Sequence, residues 1–179
     1  MAVSLGWDDL AVVDSFPEHH EPRAAVLAPV FEDEDGVLRT VLIKRPDSAP
    51  THAGDLAFPG GRPHPGDGGP VGTALREAEE EVGIPPESVE VLGFLPQVHT
   101  REFVRWVVPV VGRLSRPPNL VPDEREVARI FLPGLEELSD EAQWRSEDWA
   151  GHTVWFRELD GDVLWGATAR MVRAMLGLV

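Results

Sequence analysis

From Thr73 to Val82 the chain reads Thr-Ala-Leu-Arg-Glu-Ala-Glu-Glu-Glu-Val, strong helix formers without interior Gly or Pro, followed by Gly83. That composition predicts a short helix closed by a glycine in the left-handed conformation. Leu75, Ala78 and Val82 recur at helical spacing and form an apolar face. Glu77, Glu80 and Glu81 stand at i, i+3 and i+4, so their carboxylates share another face. Like charges so placed cost a few tenths of a kcal/mol per pair, roughly, in an isolated helix. A solvated acidic surface is the ordinary reading of such a face. The alternative is a cation, and a group of hard oxygen ligands points to Mg²⁺ or Mn²⁺.

The rest of the chain limits what this helix can belong to. At 179 residues it is read as a single domain, 1–179, able to bury its own core, with residues 1–23 as a lead-in segment. Sixteen basic residues against 31 acidic give a net charge of −15. That argues against a nucleic-acid partner, whose binding relies on phosphate neutralisation. It leaves room for a small phosphorylated ligand, because a cation in the acid cluster reverses the local field. No apolar run approaches the ~20 residues that cross a bilayer, so no membrane partner is expected. The N-terminus lacks the basic-then-apolar order of a signal peptide, and cytoplasmic location is the default. The absence of cysteine excludes disulfides, thiol catalysis and thiolate metal sites. A homodimer stays open.

In chain order, Glu18-His19-His20-Glu21 is read as part of the lead-in, because neighbouring His side chains do not face each other. Residues 24–31 are apolar on both faces and predict a buried strand. Asp35-Gly36 predicts a turn into a partner strand, Val37 to Lys44. Val89 to Val98 reads as one strand, and Arg101-Glu102-Phe103 as a loop or strand tip. Val104 to Val111 is another strand, with Pro109 suggesting an edge or bulge. Leu135 to Leu138 predicts a short helix and Thr153 to Leu159 a strand. Asp160-Gly161-Asp162 is a tight turn, and a final helix follows Trp165, whose ring is expected to pack between sheet and helix. Strands interleaved with a central and a terminal helix predict an α/β sandwich.

Phe58-Pro59-Gly60-Gly61, a Gly/Pro/Asp-rich arch and the acidic helix together resemble the Nudix box, Gly-x5-Glu-x7-Arg-Glu-U-x-Glu-Glu-x-Gly-U, with U aliphatic. Arg76, Glu77, Ala78, Glu80, Glu81, Gly83 and Ile84 match its right half. On the left, Asp67 stands where the box has Glu, and eight residues rather than seven separate it from Arg76. The resemblance implies the Nudix fold: an α/β/α sandwich with a mixed, partly barrel-like sheet and a loop–helix–loop holding cations. It implies Glu77, Glu80, Glu81 and the Gly61 carbonyl as metal ligands. Glu77 doubles as a candidate water-positioning base, and Arg76 orients Glu80 one turn further on. The segment Asp123 to Pro133 resembles a Nudix loop in which an acid precedes a strand facing the site. Glu126 fits that place best and Glu124 second, as a fourth ligand or general base.

A second resemblance narrows the substrate. Arg45, His52, Gly54, Phe58, Pro59, Gly60 and Gly61 match the signature upstream of the box in coenzyme A diphosphatases, with Pro46 in place of its Ser. Trp165-Gly166-x-Thr168-Ala169 is similar to the end of that branch. Arg45 and His52 beside Gly60 and Gly61 suit a phosphate-bearing ligand, since Arg offers planar donors and Gly permits close backbone approach. The implied reaction is hydrolysis of coenzyme A or an acyl derivative to 3',5'-ADP and 4'-phosphopantetheine. Two alternatives accompany it: the same chemistry on ADP-ribose, NADH or a nucleoside triphosphate, and a non-catalytic nucleotide sensor on this fold.

Overall fold

The computed structural model describes residues 5–15, 24–100 and 105–178; the Glu18–Glu21 run and Arg101–Phe103 lie outside them. Strand β1 (Ala24–Glu32) is the hub. Its odd-numbered residues Ala25, Leu27 and Phe31 join one core, while Ala28 and Val30 join a second on the opposite face. A strand covered on both sides must be apolar throughout, which is why this run does not alternate. β8 (Arg105–Leu114) divides in the same way, Val108 and Val110 to one core, Val107 and Val111 to the other.

β1 and β8 pair in parallel, from Ala24 opposite Val107 to Val30 opposite Arg113. The antiparallel strands β2 (Leu38–Thr40), β5 (Gly60–Gly61), β6 (Val89–Phe94) and β7 (Val98–Thr100) complete a mixed six-stranded sheet. Helix α1 (Pro70–Val82) packs on β1, β5 and β8 from one side. Helix α3 (Gly166–Met175) lies on the other core, against β7, β11 (Thr153–Leu159) and β12 (Asp162–Trp165). The result is the expected α/β/α sandwich. Two three-stranded sheets complete it: β4 (Leu56–Ala57), β3 (Leu42–Lys44) and β9 (Arg129–Phe131), and β10 (Arg145–Asp148) with β11 and β12. A short helix α2 (Leu135–Ser139) follows β9. Among the described residues no helix is long and apolar enough to cross a membrane.

Three expectations change in detail. The strand 37–44 breaks at Val41: β2 stays on β1, while β3 leaves for the sheet it shares with β9. The strand 89–98 is two strands, β6 and β7, with Leu95 to Gln97 between them. Pro109 lies in a central strand, not at an edge. Its place is opposite that interruption, where its carbonyl accepts Leu95 N–H at 3.0 Å, so its missing N–H breaks no continuous ladder.

Candidate active site

Helix α1 begins at Pro70, one turn earlier than the spacing implied, so the end of the arch is itself helical. Proline suits that position because its missing N–H is one the first turn leaves unpaired anyway. At the other end Gly83 takes φ 72° and ψ 27°, and its N–H donates to Glu79 O at 2.9 Å. Ala74, Ala78 and Val82 are buried against the sheet, with Leu75 packed at their edge. This seating divides the acids. Glu77 and Glu81, one turn apart, are buried, whereas the Glu80 side chain is 53% exposed.

Arg76 ties the arch to the acids. Its Nε and Nη2 donate to the two oxygens of Asp67 at 2.9 and 3.2 Å. Nη1 reaches Glu77 Oε1 at 2.9 Å and Glu80 Oε2 at 3.0 Å, and Nη2 also reaches the Arg62 carbonyl at 2.9 Å. The expected Arg76–Glu80 pair is therefore present, within a larger network. Asp67 also accepts from Thr73 Oγ1 and from His64 N–H, both at 2.8 Å. The Arg76 hydrogen bond, then these others, hold its carboxyl far below the usual range. Asp67 thus closes the longer arch onto Thr73 and Arg76.

The double glycine meets the buried acids directly. Gly60 N–H donates to Glu81 Oε2 at 2.9 Å. A Cβ on Gly61 would stand 2.4 Å from Glu77 Oε1, so a larger residue there would have to push that carboxylate aside. Burial pushes the Glu81 carboxyl up to about 8; Gly60 N–H opposes this, Glu77 adds to it, Arg45 opposes it and Glu126 adds to it. Burial raises Glu77 as well, against the pull of Arg76. Glu126 therefore directs its charge at the same two carboxyls as Arg45 and Arg76. Its loop is held there by the end of α1: Val121 N–H donates to Val82 O and Asp123 N–H to Glu81 O, both at 2.9 Å. These bonds satisfy carbonyls that a helix end otherwise leaves open. Glu124 is exposed, and its neighbour Asp123 pairs with Arg125 instead.

Arg45 and His52 lie on the loop from β3 to β4. Arg45 Nε donates to Thr51 O at 3.3 Å. His52 Nδ1 is 3.4 Å from Asp55 Oδ2. Trp165 differs from expectation. It is half-buried away from the sheet–helix core, stacked on Phe156 at 6.1 Å between ring centres and 5.9 Å from Trp149, with its indole N–H on Asp55 Oδ1 at 3.2 Å. The reason is β10, which the sequence does not announce: it pairs with the expected strand at 153–159, β11, so that Trp149 in their turn and Phe156 on β11 become the partner rings. Asp55 and Thr73 were also missed. Asp55 occupies an unspecified position of its signature, and no local spacing links Thr73 to Asp67.

Among the described residues no three His, Asp or Glu side chains converge at metal-holding distances; Glu77 and Glu80 close on Arg76 instead. The donor set nevertheless fits a hard divalent cation: carboxylate oxygens crowded at one helix face, two of them buried, with a Cβ-free backbone pressed against one. The raised carboxyl of Glu81 sets a pH dependence. Its folded value lies above its unfolded one, so its contribution to stability is complete below about pH 4.5 and is lost towards pH 8. The metal-free protein is expected to lose melting temperature across that window, and Glu81→Gln to flatten the fall; thermal scans between pH 5 and 8.5 measure both.

An α/β/α sandwich whose loop–helix–loop gathers Arg76 and three glutamates, two of them against a double glycine, defines a class of protein. The NUDIX domain model matches residues 21–165, and the chain belongs to the Nudix family. It is 36% identical over 173 residues to Nudix hydrolase 15, mitochondrial, of Arabidopsis thaliana, covering 90% of this chain and 60% of that protein. It is 40% identical over 160 residues to a Citrobacter koseri protein called uncharacterized Nudix hydrolase NudL, covering 86% and 80%. The chain thus spans less than two thirds of its plant relative. Among solved structures, a MutT/nudix family protein from Enterococcus faecalis aligns with 88% of this chain and 62% of its own at a TM-score of 0.56 and 19% identity, a likeness of fold.

Proposed function

We propose that the chain is a divalent-cation-dependent hydrolase that cleaves the diphosphate of coenzyme A or an acyl-coenzyme A to 3',5'-ADP and (acyl-)4'-phosphopantetheine. The observation that carries the reading is convergence on Glu81: Gly60 hydrogen-bonds its carboxylate, and the charges of Glu77, Arg45 and Glu126 all act on it. Those residues come from four separate segments. A chain needing only a solvated helix face has no reason to bury two acids and point a third at them. The coenzyme A assignment rests on the signature through Arg45, His52 and Phe58-Pro59-Gly60-Gly61, and on Trp165-Gly166-x-Thr168-Ala169.

Glu77, Glu80 and Glu81, with the Gly61 carbonyl, would hold Mg²⁺ or Mn²⁺. Such a cation supplies charge neutralisation on the diphosphate and a lowered pKa for bound water. Arg76 holds the arch and fixes Glu77 and Glu80. Arg45 and His52 bind and orient the phosphates, which converts binding energy into position. Glu126, exposed and adding its charge to that on Glu77 and Glu81, accepts the proton of the attacking water, with Glu77 as the other candidate base.

Arg45→Ala is expected to raise KM for coenzyme A more than it lowers turnover, by about tenfold for one charge-assisted contact; steady-state kinetics at saturating Mg²⁺ measures it. The reading itself is tested by hydrolysis of coenzyme A and ADP-ribose side by side with Mg²⁺ and with Mn²⁺. A higher kcat/KM on coenzyme A supports it, and a clear preference for ADP-ribose overturns the substrate assignment.

A further inference from the structure

The loop from β3 to β4 carries an acid with no part in the scheme above. We infer that Asp55 is a positioning residue, its carboxylate setting His52 against the indole of Trp165 while its backbone carbonyl holds Arg45; this rests on the phosphate-binding role proposed for those two side chains.

Every polar part of Asp55 is engaged. Its carbonyl accepts Arg45 N–H at 3.0 Å, and the neighbouring Gly54 N–H donates to Arg45 O at 3.2 Å, so the backbone of Arg45 is clamped on both sides. The Arg45 side chain bends back on the same loop through Thr51 O. Asp55 N–H donates to His52 O at 3.2 Å, closing a turn in which His52 adopts φ 53°. A side-chain-bearing residue in that region is uncommon and persists where its surroundings hold it. The Asp55 carboxylate then faces outward in two directions, Oδ2 to His52 Nδ1 at 3.4 Å and Oδ1 to Trp165 Nε1 at 3.2 Å.

The second contact gives the first its value. Trp165 is itself held, lying parallel to Phe156 within 5° and tilted against Trp149. The carboxylate is therefore anchored by a ring 110 residues away in sequence, on a different sheet. A carboxylate placed beside one imidazole nitrogen favours one orientation of the ring and so of its other nitrogen. The Asp55 carboxylate acts through His52, and Trp165 serves as an indole anchor in place of a stacking surface for substrate.

Calorimetric titration with methylene diphosphonate in the presence of Mg²⁺ tests this without turnover. Asp55→Ala and Trp165→Phe are each expected to raise Kd about tenfold, the scale of one oriented charge-assisted hydrogen bond. Asp55→Asn keeps an oxygen for the indole but loses the charge facing His52, and should raise Kd by about threefold on the same scale. In an Arg45→Ala/His52→Ala background, Asp55→Ala should add less than about twofold, because its route to the ligand is gone. Circular dichroism and melting curves confirm that each variant folds, and Asp55→Asn serves if the alanine variant does not. An unmoved Kd in a folded Asp55 variant, or an undiminished loss in the double-alanine background, overturns the inference and makes Asp55 glue between β4 and β12. A wild type that fails to bind the diphosphonate overturns the phosphate-binding reading beneath it.

Discussion

Glu80→Gln is expected to lower turnover on coenzyme A at least about a hundredfold, the scale of losing one catalytic polar group, while leaving the fold intact. The separation follows from where Glu80 sits. Its side chain is 53% exposed and its described contact is with Arg76 Nη1, which Glu77 Oε1 also engages. Glutamine has the same shape and still accepts from Arg76, so helix and arch lose little. What disappears is one negative oxygen of the set that would hold the cation. The measurement is kcat at saturating Mg²⁺ beside a melting curve. Near-normal turnover would remove Glu80 from that set.

Arg76→Ala is expected to damage both stability and activity. The substitution removes a guanidinium that holds Asp67, Glu77, Glu80 and the Arg62 carbonyl together, and leaves Glu77 buried without its cation. Breaking an enclosed pair in this way costs several kcal/mol; with the Arg76 side chain 21% exposed, about 1–3 kcal/mol is a fair scale. For a chain of this size that lowers Tm by roughly 3–8 °C. Turnover should fall as well, since the arch and Glu80 are no longer fixed. Lysine is a poor substitute, because no ammonium reproduces the two-oxygen grip on Asp67 together with Nη1 on both glutamates. An unchanged Tm would show the network to be ornamental.

Much of this site was legible because it is local. Glu77, Glu80 and Glu81 share a helix face by spacing alone, and Gly83 marks its end. The apolar run at 24–31 announced a strand buried on both sides, which β1 is. Legibility failed where a residue's role depends on distant chain. The spacing cannot say that Glu81 is buried and Glu80 exposed, since that requires knowing which face the sheet takes. It does not reveal that an arch one residue too long still closes, because Asp67 meets Thr73 and Arg76 only where the arch folds back onto α1. Trp165 misled for the same reason: the hairpin that supplies Trp149 and Phe156 carries an exposed, charged first strand, Arg145–Asp148, with no apolar alternation to reveal it. Val37 to Lys44 read as one strand because nothing in its own composition says that β9 will claim its second half.

Binding of Mn²⁺ in the absence of substrate tests the central claim most directly, because it isolates the acid cluster from the choice of nucleotide. Calorimetric titration at pH 8 should show Mn²⁺ binding to the wild type, with affinity falling at least about tenfold in both Glu80→Gln and Glu81→Gln, as loss of a charged ligand requires. Melting temperature should rise with Mn²⁺ in the wild type and hardly move in either variant. Equal Mn²⁺ affinity in wild type and both variants would contradict the account, and return Glu77, Glu80 and Glu81 to an acidic helix face held by Arg76 and the Gly60 N–H.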